Sequence, residues 1–180
     1  IQATGYTPQH PKNFLQHWRD GNIPLGLEDH PVVYVSLEDA RAYAQWKDKR
    51  LPTEEEWQHA AQGVEARRYA WGDTWQPDHC NHGQTGTTTP VMYYPQGRSP
   101  YGCYDMCGNV WEWTESERSD GRTRFAILKG GSYYRAQGSE WYADGGAQPT
   151  DFAAKFLLMY PGLDRCATIG FRCAADLTHR

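Results

Sequence analysis

The stretch YGCYDMCGNVWEWT, residues 101–114, decides how the rest of the chain is read. Gly108 and Asn109 are residue types that tolerate positive φ, so a sharp turn is expected there, ahead of Val110-Trp111-Glu112-Trp113. That run alternates in size and polarity as a short strand does. A turn that aims backbone carbonyls inward, bracketed by the carboxylates of Asp105 and Glu112, offers several hard oxygen donors at the short range calcium requires. The same residues also read as a buried aromatic strand carrying a surface glutamate, and one pair of carboxylates does not by itself separate the two readings.

Composition sets the outer limits. The chain has 180 residues, 39% hydrophobic and 22% charged, which suits a single domain over residues 1–180 with enough material to bury a core. Aromatic residues reach 14%, with 8 Trp and 12 Tyr, and 18 Gly with 11 Pro imply many turns. Such a chain is held by aromatic clusters under irregular segments more than by long helices. A formal net charge of -4 and the lack of a basic run argue against nucleic acid as a partner. No apolar run approaches a membrane span, and Ile1-Gln2-Ala3-Thr4 is not a charged region leading into an apolar one, so no membrane partner is expected.

Outward from the central stretch, the first 27 residues have no period and read as an extended loop. Residues 32–35 read as a short strand. Ser36 with Asp39 resembles a capping pair, and Ala40, Tyr43, Ala44 and Trp46 recur at helical spacing. Thr53 and Glu56 form a capping box for a second helix, with Trp57, Ala60 and Ala61 inward and Gly63 suited to its end. The glutamates 54–56 are explained by the helix dipole and the cap rather than by acid-base chemistry. Residues 69–97 read mostly as loop; His79, Cys80 and His82 match no standard closed zinc site. Residues 91–94 read as a strand, 115–124 as a charged turn, 125–128 as a buried strand, 156–160 as a strand or short helical turn, and 168–172 as a final core strand. Cys103 and Cys107 are close enough in sequence to pair or to bind a soft metal, although Cys107 reads as buried. The count of five cysteines leaves a free thiol in a monomer, which favours a reducing compartment or buried inert thiols.

The segment GNVWEWT, residues 108–114, resembles the signature of the formylglycine-generating enzyme family, also called the sulfatase-modifying factor family. Three further motifs follow the family's order: LPTEEEW at 51–57, GGSY at 130–133 and IGFRCA at 169–174. YAWG at 69–72 also fits, and together they cover residues 32–175. The resemblance implies an α+β fold, a calcium-binding variant of the C-type lectin fold with two helices, short strands and much irregular loop. It implies calcium held by side-chain oxygens of Asp105 and Glu112 and by the backbone carbonyls of Gly108 and Val110. Asp105 departs from the asparagine common in the family, keeping an oxygen ligand and adding charge. Asn81 and the His82 carbonyl fall at a second calcium position, but the acidic residue that would complete it is not evident in 83–89.

The family's formylglycine-generating members bind copper(I) through two cysteines shortly after Gly-Gly-Ser, since soft thiolates select that ion. Here Arg135 stands at the first position and Glu140 at the second, and neither replaces a thiolate. The resemblance leaves a mixed-charge, aromatic-lined ligand groove made by Ser132, Tyr134, Arg135, Glu140 and Trp141, with Asp164 and Arg165 among the surrounding loops. A segment like Ala3-Thr4-Gly5-Tyr6 follows a strand and a helix in the family. The chain is therefore expected to begin inside the domain, with a partner chain or preceding polypeptide completing the N-terminal edge. The expected function is a calcium-stabilised, non-catalytic domain that binds a peptide or small polar ligand. The alternatives are an oxidoreductase of the same family, formylglycine-generating or sulfoxide-synthase-like, using another metal site or a partner domain, and a retroelement-diversified lectin-like binding protein. Family members are often exported while the cysteines favour reduction, so the compartment stays open.

Overall fold

Two capping boxes start the two helices. In α1 (Leu37–Trp46) the Ser36 hydroxyl accepts from the Asp39 N–H while the Asp39 carboxylate accepts from the Ser36 N–H. Thr53 and Glu56 do the same for α2 (Glu54–Gln62), and Gly63 ends it at φ 68. Each box satisfies two of the orphan donors that a helix start leaves. The structure is a computed structural model that describes residues 3–135, 145–158 and 162–176.

One sheet carries the rest. Strand β1 (Trp111–Ser119) pairs antiparallel with β2 (Arg124–Lys129), and β2 pairs antiparallel with β3 (Ala154–Leu157). The short β4 (Ile169–Phe171) lies parallel to β1, giving the order β3-β2-β1-β4. Glu112, Trp113 and Thr114 are buried in succession because β1 is central and covered on both faces. Leu37, Ala40, Ala44 and Leu51 pack on Trp113, Ala126, Leu128 and Ile169. Trp57, Ala61, Ala70, Met106 and Cys107 form a second cluster beneath the 101–110 turn. The Trp113 indole N–H donates to the Val35 carbonyl at 3.0 Å, so its one polar atom is satisfied at full burial.

Three local expectations are corrected. Residues 32–35 form no ladder: Tyr34 sits at φ 59, its N–H donates to the Cys166 carbonyl, and its own carbonyl accepts from Leu15. Val33 and Val35 are buried as a strand pattern predicts, but the backbone is spent on two separate loops. Residues 91–94 form a turn with Met92 at φ 66, and Val91, Met92 and Tyr93 are exposed. The charged turn shrinks to residues 120–123, where Asp120 accepts from the N–H groups of Arg122 and Thr123, because β1 runs on to Ser119. Its charges pair across the surface, Arg41 with Glu115 and Glu117, Arg118 with Glu54, and Arg124 with Glu117.

The N-terminal segment is loop throughout its described part, tied down by one buried ion pair. Arg165 binds Asp39 through Nε at 2.7 Å and Nη2 at 3.1 Å, and donates through Nη1 to the carbonyls of His10 and Lys12. The Tyr6 hydroxyl donates to the same carboxylate at 2.8 Å. Asp164 accepts from the Gly162 N–H and is also buried. Arg165 therefore fastens the N-terminal segment to α1, and Asp164 closes its own turn, so neither is an open groove residue. All five cysteines are unpaired. Among the described residues no helix is long and apolar enough to cross a membrane.

Candidate functional site

The 105–112 turn is built from left-handed residues locked to their neighbours. Asp105, Gly108 and Asn109 have φ of 56, 89 and 62. The Gly108 N–H donates to the Gly130 carbonyl at 2.7 Å, and a Cβ at Gly108 would stand 2.3 Å from the Asn81 carbonyl oxygen, so no side chain fits. Asn109 is buried: its N–H donates to Asn81, its amide oxygen accepts from the Thr89 N–H at 3.0 Å, and its carbonyl accepts from Tyr133. The Asn81 amide closes its own loop, donating to Thr87 at 2.8 Å and accepting from the Thr85 hydroxyl at 3.0 Å.

Glu112 is not a surface glutamate. It is buried, accepts from the Trp57 indole N–H at 2.7 Å, and is gripped by the Arg172 guanidinium through Nε and, at 2.6 Å, Nη2. Arg172 also donates to the Tyr104 carbonyl at 3.0 Å, tying the turn to the end of β4. One oxygen of Asp105 accepts from the Met92 N–H at 3.1 Å. Burial pushes the Asp105 carboxyl above the usual carboxylate range, partly offset by that hydrogen bond and by Arg172. Two carboxylates with one guanidinium leave a net negative charge in a sheltered place. Glu112 Oε1 accepts one hydrogen bond and so retains acceptor capacity. Asp105 and Glu112 are the two carboxylates to which the family resemblance assigns a hard cation, together with the Gly108 and Val110 carbonyls. Among the described residues no three His, Cys, Asp or Glu side chains converge on a metal position. Arg172 was missed by sequence reasoning; the signal was its place in IGFRCA, directly after the strand paired with Trp111-Glu112-Trp113.

Of the expected groove residues, Ser132 is buried, donates its N–H to the Gly146 carbonyl at 3.0 Å and accepts through Oγ from the Tyr134 N–H at 3.2 Å. Its hydroxyl thus shapes the turn that presents Tyr134 and Arg135, both exposed. Glu140 and Trp141 lie outside the described residues. Arg135 lies beside Gly83 and Gly146: a Cβ at Gly146 would stand 3.0 Å from its Nε, and one at Gly83 3.6 Å from its Cγ. His79 and His82 pack against different rings, Trp71 and Trp75, as a plain loop requires. Burial pushes the Cys80 thiol up, and Cys107, fully enclosed, is pushed up to about 12, so neither is a ready thiolate for a soft metal.

The family description "Sulfatase-modifying factor enzyme 1-like domain" matches residues 1–177. The chain is 36% identical over 164 residues to "Inactive C-alpha-formylglycine-generating enzyme 2" of Bos taurus, covering 82% of this chain and 50% of that protein. It is 40% identical over 152 residues to "Formylglycine-generating enzyme" of Streptomyces coelicolor, covering 65% and 48%. The alignments thus span about half the length of these relatives. The fold is that of PvdO from Pseudomonas aeruginosa, with a TM-score of 0.64 at 20% identity, over 83% of this chain and 63% of that one. The α+β arrangement of two capped helices and a four-stranded sheet is the formylglycine-generating enzyme type, and the chain belongs to the sulfatase-modifying factor enzyme 1-like family.

Proposed function

We propose that this domain is a calcium-stabilised, non-catalytic member of its family that binds a peptide or small polar ligand in the groove beside Gly131-Ser132. The observation that carries the reading is Arg135, an exposed guanidinium at the position where the family resemblance puts the first copper thiolate. A guanidinium stays protonated and offers no lone pair to copper(I), but is well suited to polar recognition. The buried thiols of Cys80 and Cys107 give no substitute there. The residues present do not fit copper.

Calcium is the cation whose chemistry the 105–112 turn fits, with Asp105 and Glu112 supplying carboxylate oxygens and Gly108 and Val110 supplying carbonyls. The bound ion would neutralise the sheltered carboxylates and hold the turn that positions Gly130, Gly131 and Ser132. The partner surface this reading gives the domain is the free edge of β4. A groove of about 550 Å³ runs beside it, lined by Tyr6, Phe14, Trp18, Tyr43, Trp46 and Phe171, where a strand from a partner chain could pair.

Thermal unfolding with chelator and with saturating calcium tests the ion. A ligand that binds only the folded state at a hundred times its Kd stabilises by about 2.7 kcal/mol, an easily read rise in Tm. The rise is expected in the parent protein and is expected to vanish in Asp105→Ala and Glu112→Ala, which remove the side-chain oxygens. A rise retained in both Asp105→Ala and Glu112→Ala would overturn the site.

A further inference from the structure

A run of half-buried rings leads up to Arg135. Tyr69 stacks on Trp71 at 5.3 Å and 8°, Trp71 meets Trp75 at 5.9 Å, and Trp75 meets His82 edge-on at 5.3 Å. Each of these rings keeps part of its surface in solvent. The next residue is Gly83, and it shares with Gly146 the task of making room for Arg135. A Cβ on Gly146 would meet both the Arg135 Nε at 3.0 Å and the His82 carbonyl at 3.2 Å, while one on Gly83 would strike the Tyr133 carbonyl at 2.6 Å. Two glycines therefore form a backbone floor on which the Arg135 stem lies, bringing the guanidinium to the His82 end of the ring run. Among the described residues Arg135 forms no ion pair, in contrast to Arg41, Arg50, Arg118, Arg124, Arg165 and Arg172.

We propose that Arg135 and the Trp75–His82 edge form a subsite for the carboxylate of an aromatic or apolar acid, the guanidinium taking the carboxylate and the rings taking the adjoining apolar group. The proposal rests on the ligand-groove reading above and narrows it to acidic ligands. A guanidinium presents its donors in a planar fork that matches a carboxylate with two parallel hydrogen bonds. Half-buried rings next to it lower the cost of seating the apolar part, since less water has to be displaced from a surface already partly enclosed. Burial and the nearby Arg135 charge both hold the His82 imidazole below its ordinary value, so His82 reports on charge arriving at this spot.

The test is an NMR titration of the His82 ring with phenylacetate, with phenylacetamide as the neutral isostere, in the parent protein and in Arg135→Gln. Phenylacetate is expected to shift the His82 resonances saturably and to raise the midpoint of its titration, because the anion cancels the repulsion from Arg135. Phenylacetamide should bind at least tenfold more weakly, and Arg135→Gln should lose the preference for the acid. His82→Gln, followed by calorimetry instead of NMR, should weaken phenylacetate and phenylacetamide alike while keeping the preference for the acid, which separates the ring contact from the guanidinium. Equal binding of acid and amide, or an acid preference that survives Arg135→Gln, would overturn the acidic subsite, as would no binding of phenylacetate at all. Capture of neutral peptides by the parent and by Arg135→Gln alike would leave the groove reading standing while this inference fails.

Discussion

Arg165 and Asp39 have side-chain exposures of 4% and 3%, so neither can fall back on water if the other is removed. Arg165→Ala would leave a buried carboxylate unpaired and the carbonyls of His10 and Lys12 without their donor, a loss of about 3 to 5 kcal/mol. Denaturant unfolding should show the lower midpoint, together with early loosening of the N-terminal segment. Lys129 is the opposite case. It is fully buried, with Nζ 3.3 Å from Gln58 Oε1 and 5.6 Å from the Trp57 ring, and among the described residues it has no carboxylate in ion-pair range. Burial lowers its pKa from the ordinary 10.5. Between the lowered folded value and 10.5 the unfolded chain binds more protons, so stability rises with pH through that window. Lys129→Met, which keeps the stem and drops the charge, is expected to be neutral or stabilising at neutral pH and to abolish the alkaline gain, read from unfolding curves across pH. The Arg165 pair was illegible in the sequence because its partners are more than a hundred residues away. Lys129 was passed over because a lysine ahead of Gly-Gly looks like an ordinary surface residue.

Elements were legible where their causes are local. Both helices follow from capping boxes four residues long and from the spacing of Ala40, Ala44, Trp57 and Ala61. Residues 32–35 and 91–94 have strand composition, yet a strand exists only where a neighbour supplies the ladder, and these segments spend their backbone on loops and turns. The outer half of β1 was hidden for a related reason: its charges pair with side chains of α1, α2 and β2, which a turn reading cannot foresee. The 105–112 turn can be probed at the same scale. Gly108→Ala adds a Cβ against immovable backbone at a left-handed position, so a loss of about 3 kcal/mol or more is expected. Gly102→Ala, at φ 80 with nothing within 4 Å, incurs only the backbone term of about 1 to 2 kcal/mol. Comparing the two by thermal unfolding isolates the contact with Asn81 from the conformational cost.

For the molecule as a whole, the sheet and helices hold a turn whose Glu112 is gripped by Arg172, and that turn in turn holds Gly130, Gly131 and Ser132 beside Arg135. The motifs named most of these parts, since GNVWEWT, GGSY and IGFRCA each occupy one wall of the arrangement. They did not reveal that Arg172 reaches Glu112, or that Arg135 rests on Gly83 and Gly146, because both contacts depend on how distant loops meet. The proposed function is that of a calcium-stabilised binding module with Arg135 where the family resemblance puts a thiolate. The most direct test is elemental analysis of the purified protein after aerobic incubation with calcium and copper(I), followed by desalting. Stoichiometric calcium with no retained copper is the predicted result, and an equivalent of copper retained by the folded protein would contradict it.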